Sequence, residues 1–201
     1  MGQHLQSIRD MLEGGQPVRV LGLGDSLTYG WEVTRGFFDR FVDGLEKRYP
    51  ESAITRIRAG IPGDTASGGL GRVGPLAAKQ PHLATVQFGI NDCFQRVTPL
   101  DFERDLRAIV GQLAVAGAKV VVCTSCSVAH LVEADAIAPF YQAIERTALE
   151  LSVDYAGLHA YWDERHGIQD DLFGWDGIHP TDEGHQIMAD GLLAVVAGDE
   201  Q

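Results

Sequence analysis

Five short apolar runs, most of them rich in β-branched residues, punctuate the chain: VRVLGL (18–23), AITRIR (53–58), LATVQF (83–88), KVVVCT (119–124) and VDYAGL (153–158). Each has strand length, and between them the apolar positions switch to a helical period. Phe38, Phe41, Val42 and Leu45 share one helix face, as do Leu106, Ile109, Val110 and Leu113. Phe140, Ile144 and Ala148 line a third predicted helix; Met188, Leu192 and Val195 line the last. Residues 65–79 are broken by glycines and less periodic, yet they fill the place of a helix between the second and third runs.

Strands that alternate with helices need crossover connections, so the sheet is predicted to be mostly parallel and covered on both faces. The expected fold is α/β: a three-layer α/β/α sandwich around a flavodoxin-like five-stranded parallel sheet of order 2-1-3-4-5. No linker, repeat or low-complexity stretch interrupts it. The expected organisation is an N-terminal extension or short helix over 1–17, one domain over 18–197 and a tail over 198–201.

Composition alters this picture little. The 201 residues, 45% hydrophobic and 22% charged, suit one globular domain that buries about 70% of its unfolded surface. The net charge of −12 says more, since with no Lys/Arg cluster it argues against nucleic acid or an anionic membrane as partner. No run approaches the ~18 apolar residues of a membrane span. The opening MGQHLQSIRDMLEGGQ has no apolar core of signal-peptide length, and Gln6 breaks the myristoylation pattern. A cytoplasmic protein without membrane insertion is expected; no pattern specifies an oligomeric state. Cys123 and Cys126 have the C-x-x-C spacing of redox pairs, but within KVVVC a cysteine reads better as a small buried hydrophobe.

In open parallel sheets, ligands sit beyond the carboxyl ends of the strands where strand order reverses, here around strands one, two and three. The turns that follow those strands hold Gly24-Asp25-Ser26-Leu27-Thr28, AGIPGDTA (59–66) and Gly89-Ile90-Asn91-Asp92. They offer a hydroxyl (Ser26), a glycine whose N–H can approach closely (Gly63) and a side-chain amide (Asn91). Acyl transfer needs that set: a nucleophile beside donors for a developing oxyanion. The base comes late, in WDGIHPTDEGH, where Asp176 and His179 stand three apart. Pro180 and Thr181 set up a helix start, leaving Asp176 and His179 on the approach loop, where the carboxylate can fold back on the imidazole. A connection of about twenty residues, from 159 to 179, gives His179 the reach from an edge strand back to Ser26.

Gly24-Asp25-Ser26-Leu27, Gly63, Gly89-Ile90-Asn91-Asp92 and Asp176-Gly177-Ile178-His179 resemble the four sequence blocks of the GDSL (SGNH) hydrolases. They stand in family order, and the resemblance covers residues 18 to about 197. It implies an SGNH-hydrolase-like catalytic domain with Ser26 as nucleophile, His179 as base and Asp176 as its orienting partner. The Ser26 N–H, Gly63 and Asn91 would form the oxyanion hole. A small-molecule ester is the implied substrate, and the chemistry requires no metal and no organic cofactor. The second block reads RAGIPGD, where many members carry an asparagine ahead of the glycine. Trp31, Phe94 and Trp175 adjoin the blocks and are candidates to line an acyl or aryl pocket, the alternative being core packing.

Other readings account for less. Gly22-x-Gly24 begins a dinucleotide fingerprint, but Leu27 stands in place of its third glycine and Asp25 would face the pyrophosphate. Thr28 breaks the G-x-S-x-G elbow of α/β-hydrolases. A non-catalytic flavodoxin-like binding module leaves the co-occurrence of Ser26, Asn91, Asp176 and His179 unexplained. Within the enzyme reading, lysophospholipase, thioesterase and sugar O-deacetylase activities stay open. Asp25 and Asp92 are expected to satisfy backbone donors of their own turns. His4, His82, His130, His159, His166 and His185 show no zinc-ligand spacing.

Overall fold

A computed structural model describes residues 4–127, 131–167 and 169–199, without side-chain detail at 131–134 and 170; His130 lies outside the described residues. Five strands, β1 (Val18–Gly24), β2 (Ile54–Gly60), β3 (Leu83–Gln87), β4 (Lys119–Cys123) and β5 (Asp154–Ala156), pair in parallel in the order β2-β1-β3-β4-β5. Gly24 is level with Gly60 on one side and Gln87 on the other, so the first three strands finish together. β3, covered on both faces, is buried throughout. The edge strand β2 instead alternates, turning Arg56 and Arg58 toward acidic residues of α3 (Phe37–Arg48).

The helices make the two outer layers. On one side α3 packs on α9 (Asp182–Ala197); on the other α4 (Ala66–Ala77) packs on α6 (Pro99–Val115), and α6 on α7 (Leu131–Leu151). Capping follows the sequence: Thr98 and Pro99 open α6, and Thr181, after Pro180, opens α9 with Asp182 and Glu183 in its first turn. α9 buries Met188, Leu192 and Val196, while Val195 is only half-buried at the edge of that stripe. Short helices fill three more places: α1 (Gln6–Glu13), α2 (Ser26–Tyr29) and α5 (Ile90–Phe94). α1 docks through Ile8 and Leu12.

Two expectations shift. β5 is only three residues long, because Gly157 caps a further helix, α8 (Leu158–Arg165). The span 159–179 is therefore not an open loop: α8 and a 3-10 turn (Asp170–Leu172) occupy much of it. Leu158 and Trp162, one turn apart and fully buried, hold α8 down; two anchors in eight otherwise mostly polar residues leave almost no periodic signal. Among the described residues no helix is long and apolar enough to cross a membrane.

His185, fully buried in α9, ties the outer layer together. Its Nδ1 accepts the Phe37 N–H at 3.1 Å, and so serves the first turn of α3, which has no side-chain cap. Burial, reinforced by the Arg40 charge, pulls its pKa down to about 4. A base depressed on folding stabilises fully above its unfolded pKa, and that stability drains away as pH falls from about 6.5 to 4. In urea unfolding, the loss of stability between pH 7 and 4.5 should be smaller in His185→Gln than in the wild type by about 2–3 kcal/mol. Asp25, whose pKa is shifted the opposite way, is common to both proteins and cancels in the comparison. Equal losses in the two proteins would exclude His185 as the acid-sensitive group.

Candidate active site

β1 ends in a sharp reversal. Gly24 closes the strand, Asp25 caps the single turn of α2, and Ser26 is the first residue of that turn. A Cβ on Gly24 would stand 2.1 Å from Thr28 Oγ1 and 2.6 Å from the Gln87 carbonyl, so only glycine lets the turn fold back this closely. The Asp25 carboxylate accepts the Leu27 N–H at 2.9 Å and the Gln87 amide at 3.1 Å. Gln87 in turn accepts from the Thr28 hydroxyl at 2.9 Å. Burial pushes the Asp25 carboxyl up to about 7, against those two hydrogen bonds. Gln87 escapes the motif-based reading; its one signal is an amide at the end of a mostly apolar strand.

His179 and Asp176 reach Ser26 from the far end of the chain. Nε2 of His179 lies 2.8 Å from Ser26 Oγ, and its Nδ1 lies 2.5 Å from Asp176 Oδ2. With Nδ1 protonated toward the carboxylate, Nε2 is the acceptor facing the hydroxyl. The other carboxylate oxygen of Asp176 takes the N–H groups of Ile178 and His179, each at 2.9 Å. Burial alone would raise the Asp176 carboxyl; the hydrogen bonds from His179 and Ile178 outweigh it and hold it below its usual range. The loop is stapled to itself by a Phe173–Pro180 bridge and by the Gly174 N–H on the His179 carbonyl at 2.7 Å.

The candidate oxyanion donors follow the two neighbouring strands. Gly63 follows β2 and Asn91 sits in α5 after β3. Asn91 Nδ2 donates to the Asp64 carbonyl at 3.0 Å, and Gln95 Nε2 to the Gly63 carbonyl at 3.3 Å. Among the described residues, neither the Ser26 nor the Gly63 N–H has an acceptor. Gly63 has φ +77° and no atom within 4 Å of where its Cβ would stand. The left-handed backbone is by itself a reason for glycine at this position. The expectation for Asp92 is corrected: it does not serve its own turn alone but accepts the Ala66 N–H, the start of α4, at 3.1 Å. Its burial raises the carboxyl to about 6 against that and other backbone hydrogen bonds.

Of the three aromatic candidates, Trp31 and Phe94 are partly exposed and Trp175 is 87% exposed, its indole N–H on Glu32 at 3.3 Å. A cavity of about 490 Å³ opens elsewhere, beside β5, lined in part by Tyr141, Tyr155, His159 and Asp163. Cys123 and Cys126 are fully buried thiols, and burial pushes Cys123 up to about 12 and Cys126 higher still. Such thiols pack rather than react. Among the described residues no three His, Cys, Asp or Glu side chains are grouped as metal ligands.

The profile of the GDSL-like Lipase/Acylhydrolase family matches residues 23–187. Esterase TesA of Pseudomonas aeruginosa is 30% identical over 108 residues, 52% of this chain and 52% of that protein. The match thus spans about half the length of that curated relative. Among solved structures, Axe2, an acetylxylan esterase from Geobacillus stearothermophilus, superposes with a TM-score of 0.80 at 20% identity, covering 89% of this chain and 94% of that one. A crystal structure of TesA does so with a TM-score of 0.76 at 22% identity, covering 90% and 98%. At such identities these two likenesses are of fold.

Proposed function

The chain belongs to the GDSL-like lipase/acylhydrolase family, and within it we propose a serine esterase that hydrolyses small carboxylic esters, thioesters included, through Ser26, His179 and Asp176. The observation that carries this reading is the unbroken hydrogen-bond line from Asp176 through His179 to Ser26 Oγ, at 2.5 and 2.8 Å. Ser26 Oγ attacks the carbonyl carbon while His179 Nε2 takes its proton, and the ionised Asp176 stabilises the imidazolium. The carbonyl oxygen becomes an oxyanion held by the Ser26 N–H, the Gly63 N–H and the second N–H of Asn91 Nδ2. Collapse expels the alcohol, which His179 protonates, and leaves an acyl-Ser26. Water, deprotonated by His179, attacks that ester; the acid departs and Ser26 recovers its proton.

Trp31, Phe94 and Trp175 lie close in sequence to Ser26, Asn91 and Asp176, and their exposed faces support short-chain acyl or aryl esters as substrates. The test is a panel of chromogenic esters and acyl thioesters of graded chain length, with an acetylated sugar included. It is paired with a fluorophosphonate probe followed by peptide mapping. Hydrolysis of the short members and a single label on Ser26 are expected. Label on another residue would remove Ser26 from the mechanism, and a panel left wholly untouched would favour a binding module.

A further inference from the structure

Ile61, Pro62 and Gly63 are exposed, so little packing holds this turn and its orientation rests on hydrogen bonds to the residues around it. The strongest of these come from behind. Arg72, in α4, donates through Nε and Nη2 to Asp64 Oδ2 at 2.9 and 2.7 Å, through Nη1 to the Ala59 carbonyl at 2.7 Å, and through Nη2 to the Gly24 carbonyl at 3.0 Å. Asp64 directly follows Gly63, Ala59 lies near the end of β2, and Gly24 stands two residues before Ser26. One side chain therefore joins the nucleophile strand, its neighbour and the turn that carries a proposed oxyanion donor. The pair is well shielded, with Arg72 22% and Asp64 14% exposed at the side chain. On the opposite flank Asn91 pulls on the Asp64 carbonyl, so the residue after Gly63 is gripped from both sides.

We propose that Arg72 is a positioning residue for acyl transfer: by clamping Asp64 to the ends of β1 and β2, it fixes the Gly63 N–H relative to Ser26 Oγ. The guanidinium suits this because its planar fork offers five donors at fixed angles, enough to satisfy a carboxylate and two carbonyls together. A lysine keeps the charge opposite Asp64 but cannot hold all three acceptors in register. Arg72 touches no reacting atom, so its effect belongs in the transition state, where the oxyanion must meet donors already in place.

This inference rests on the esterase reading, and the test separates the two. Arg72→Met and Arg72→Lys are compared with the wild type on a chromogenic acetyl ester, together with binding of phenylboronic acid, a tetrahedral mimic when bound to a serine. Both variants are expected to lose kcat by roughly 10–10²-fold with KM changed less than about threefold. Boronate affinity should fall in parallel with kcat/KM. Thermal unfolding is followed alongside, and Arg72→Lys, which retains the ion pair, keeps the comparison valid if Arg72→Met folds poorly. If the wild type turns over through Ser26 while Arg72→Lys keeps kcat and boronate affinity within about twofold, the positioning role is wrong and the esterase reading stands. If kcat falls with boronate affinity unchanged, Arg72 acts elsewhere than on the oxyanion turn. A wild type without Ser26-dependent turnover removes both.

Discussion

Replacing Ser26 with alanine should lower kcat for the best ester of the panel by on the order of 10⁶, the loss expected when a group acting as one unit with its base is removed. The expectation follows from the line Asp176–His179–Ser26: without the hydroxyl, the imidazole has no nucleophile to activate. Only the oxyanion donors and substrate binding would remain, and these leave a residual rate roughly 10³–10⁴ above water. His179→Ala should cost about as much, and the double variant little more than either alone, because the two side chains perform one step. Single-turnover rates on highly purified protein check this. If the two losses simply multiplied, Ser26 and His179 would belong to separate processes; a Ser26→Ala rate within about tenfold of the wild type would end the mechanism.

The second large effect is expected at Asn91. Asn91→Ala removes one proposed oxyanion donor and should lower kcat by roughly 10²–10³ with little change in KM. The side chain has two N–H groups, and the Asp64 carbonyl uses one of them. Alanine therefore also loosens the Gly63 turn, and the loss should lie toward the upper end of that range. Thermal unfolding within a few degrees of the wild type would separate this from general destabilisation. A near-normal kcat would take Asn91 out of the oxyanion hole.

Where the sequence was informative, one residue type did one physical job. The alternation of strand and helix called for crossovers and hence parallel pairing, and near-continuous apolar strands such as KVVVC agreed with burial on both faces. Thr181 after Pro180 announced the start of α9 because capping is a local matter. Legibility ended where the partner lies far along the chain. Asp92 looks like a turn residue until α4 is seen to begin beside it, and nothing local tells Gln87 that it will bridge Asp25 and Thr28. Arg72 is a lone cation in a helix of alanines and glycines, and its three acceptors come from three separate segments. α8 was hidden for another reason: with only Leu158 and Trp162 to anchor it, tertiary packing rather than pattern makes it a helix.

The hydroxyl and its imidazole partner are 153 positions apart in the chain. During synthesis all five strands precede His179, so on the proposed mechanism the sheet can assemble and still be chemically inert. Gain of turnover in a refolding experiment would then time the docking of the final helix and the loop before it, an event that circular dichroism, dominated by the bulk of helix and strand, would barely register.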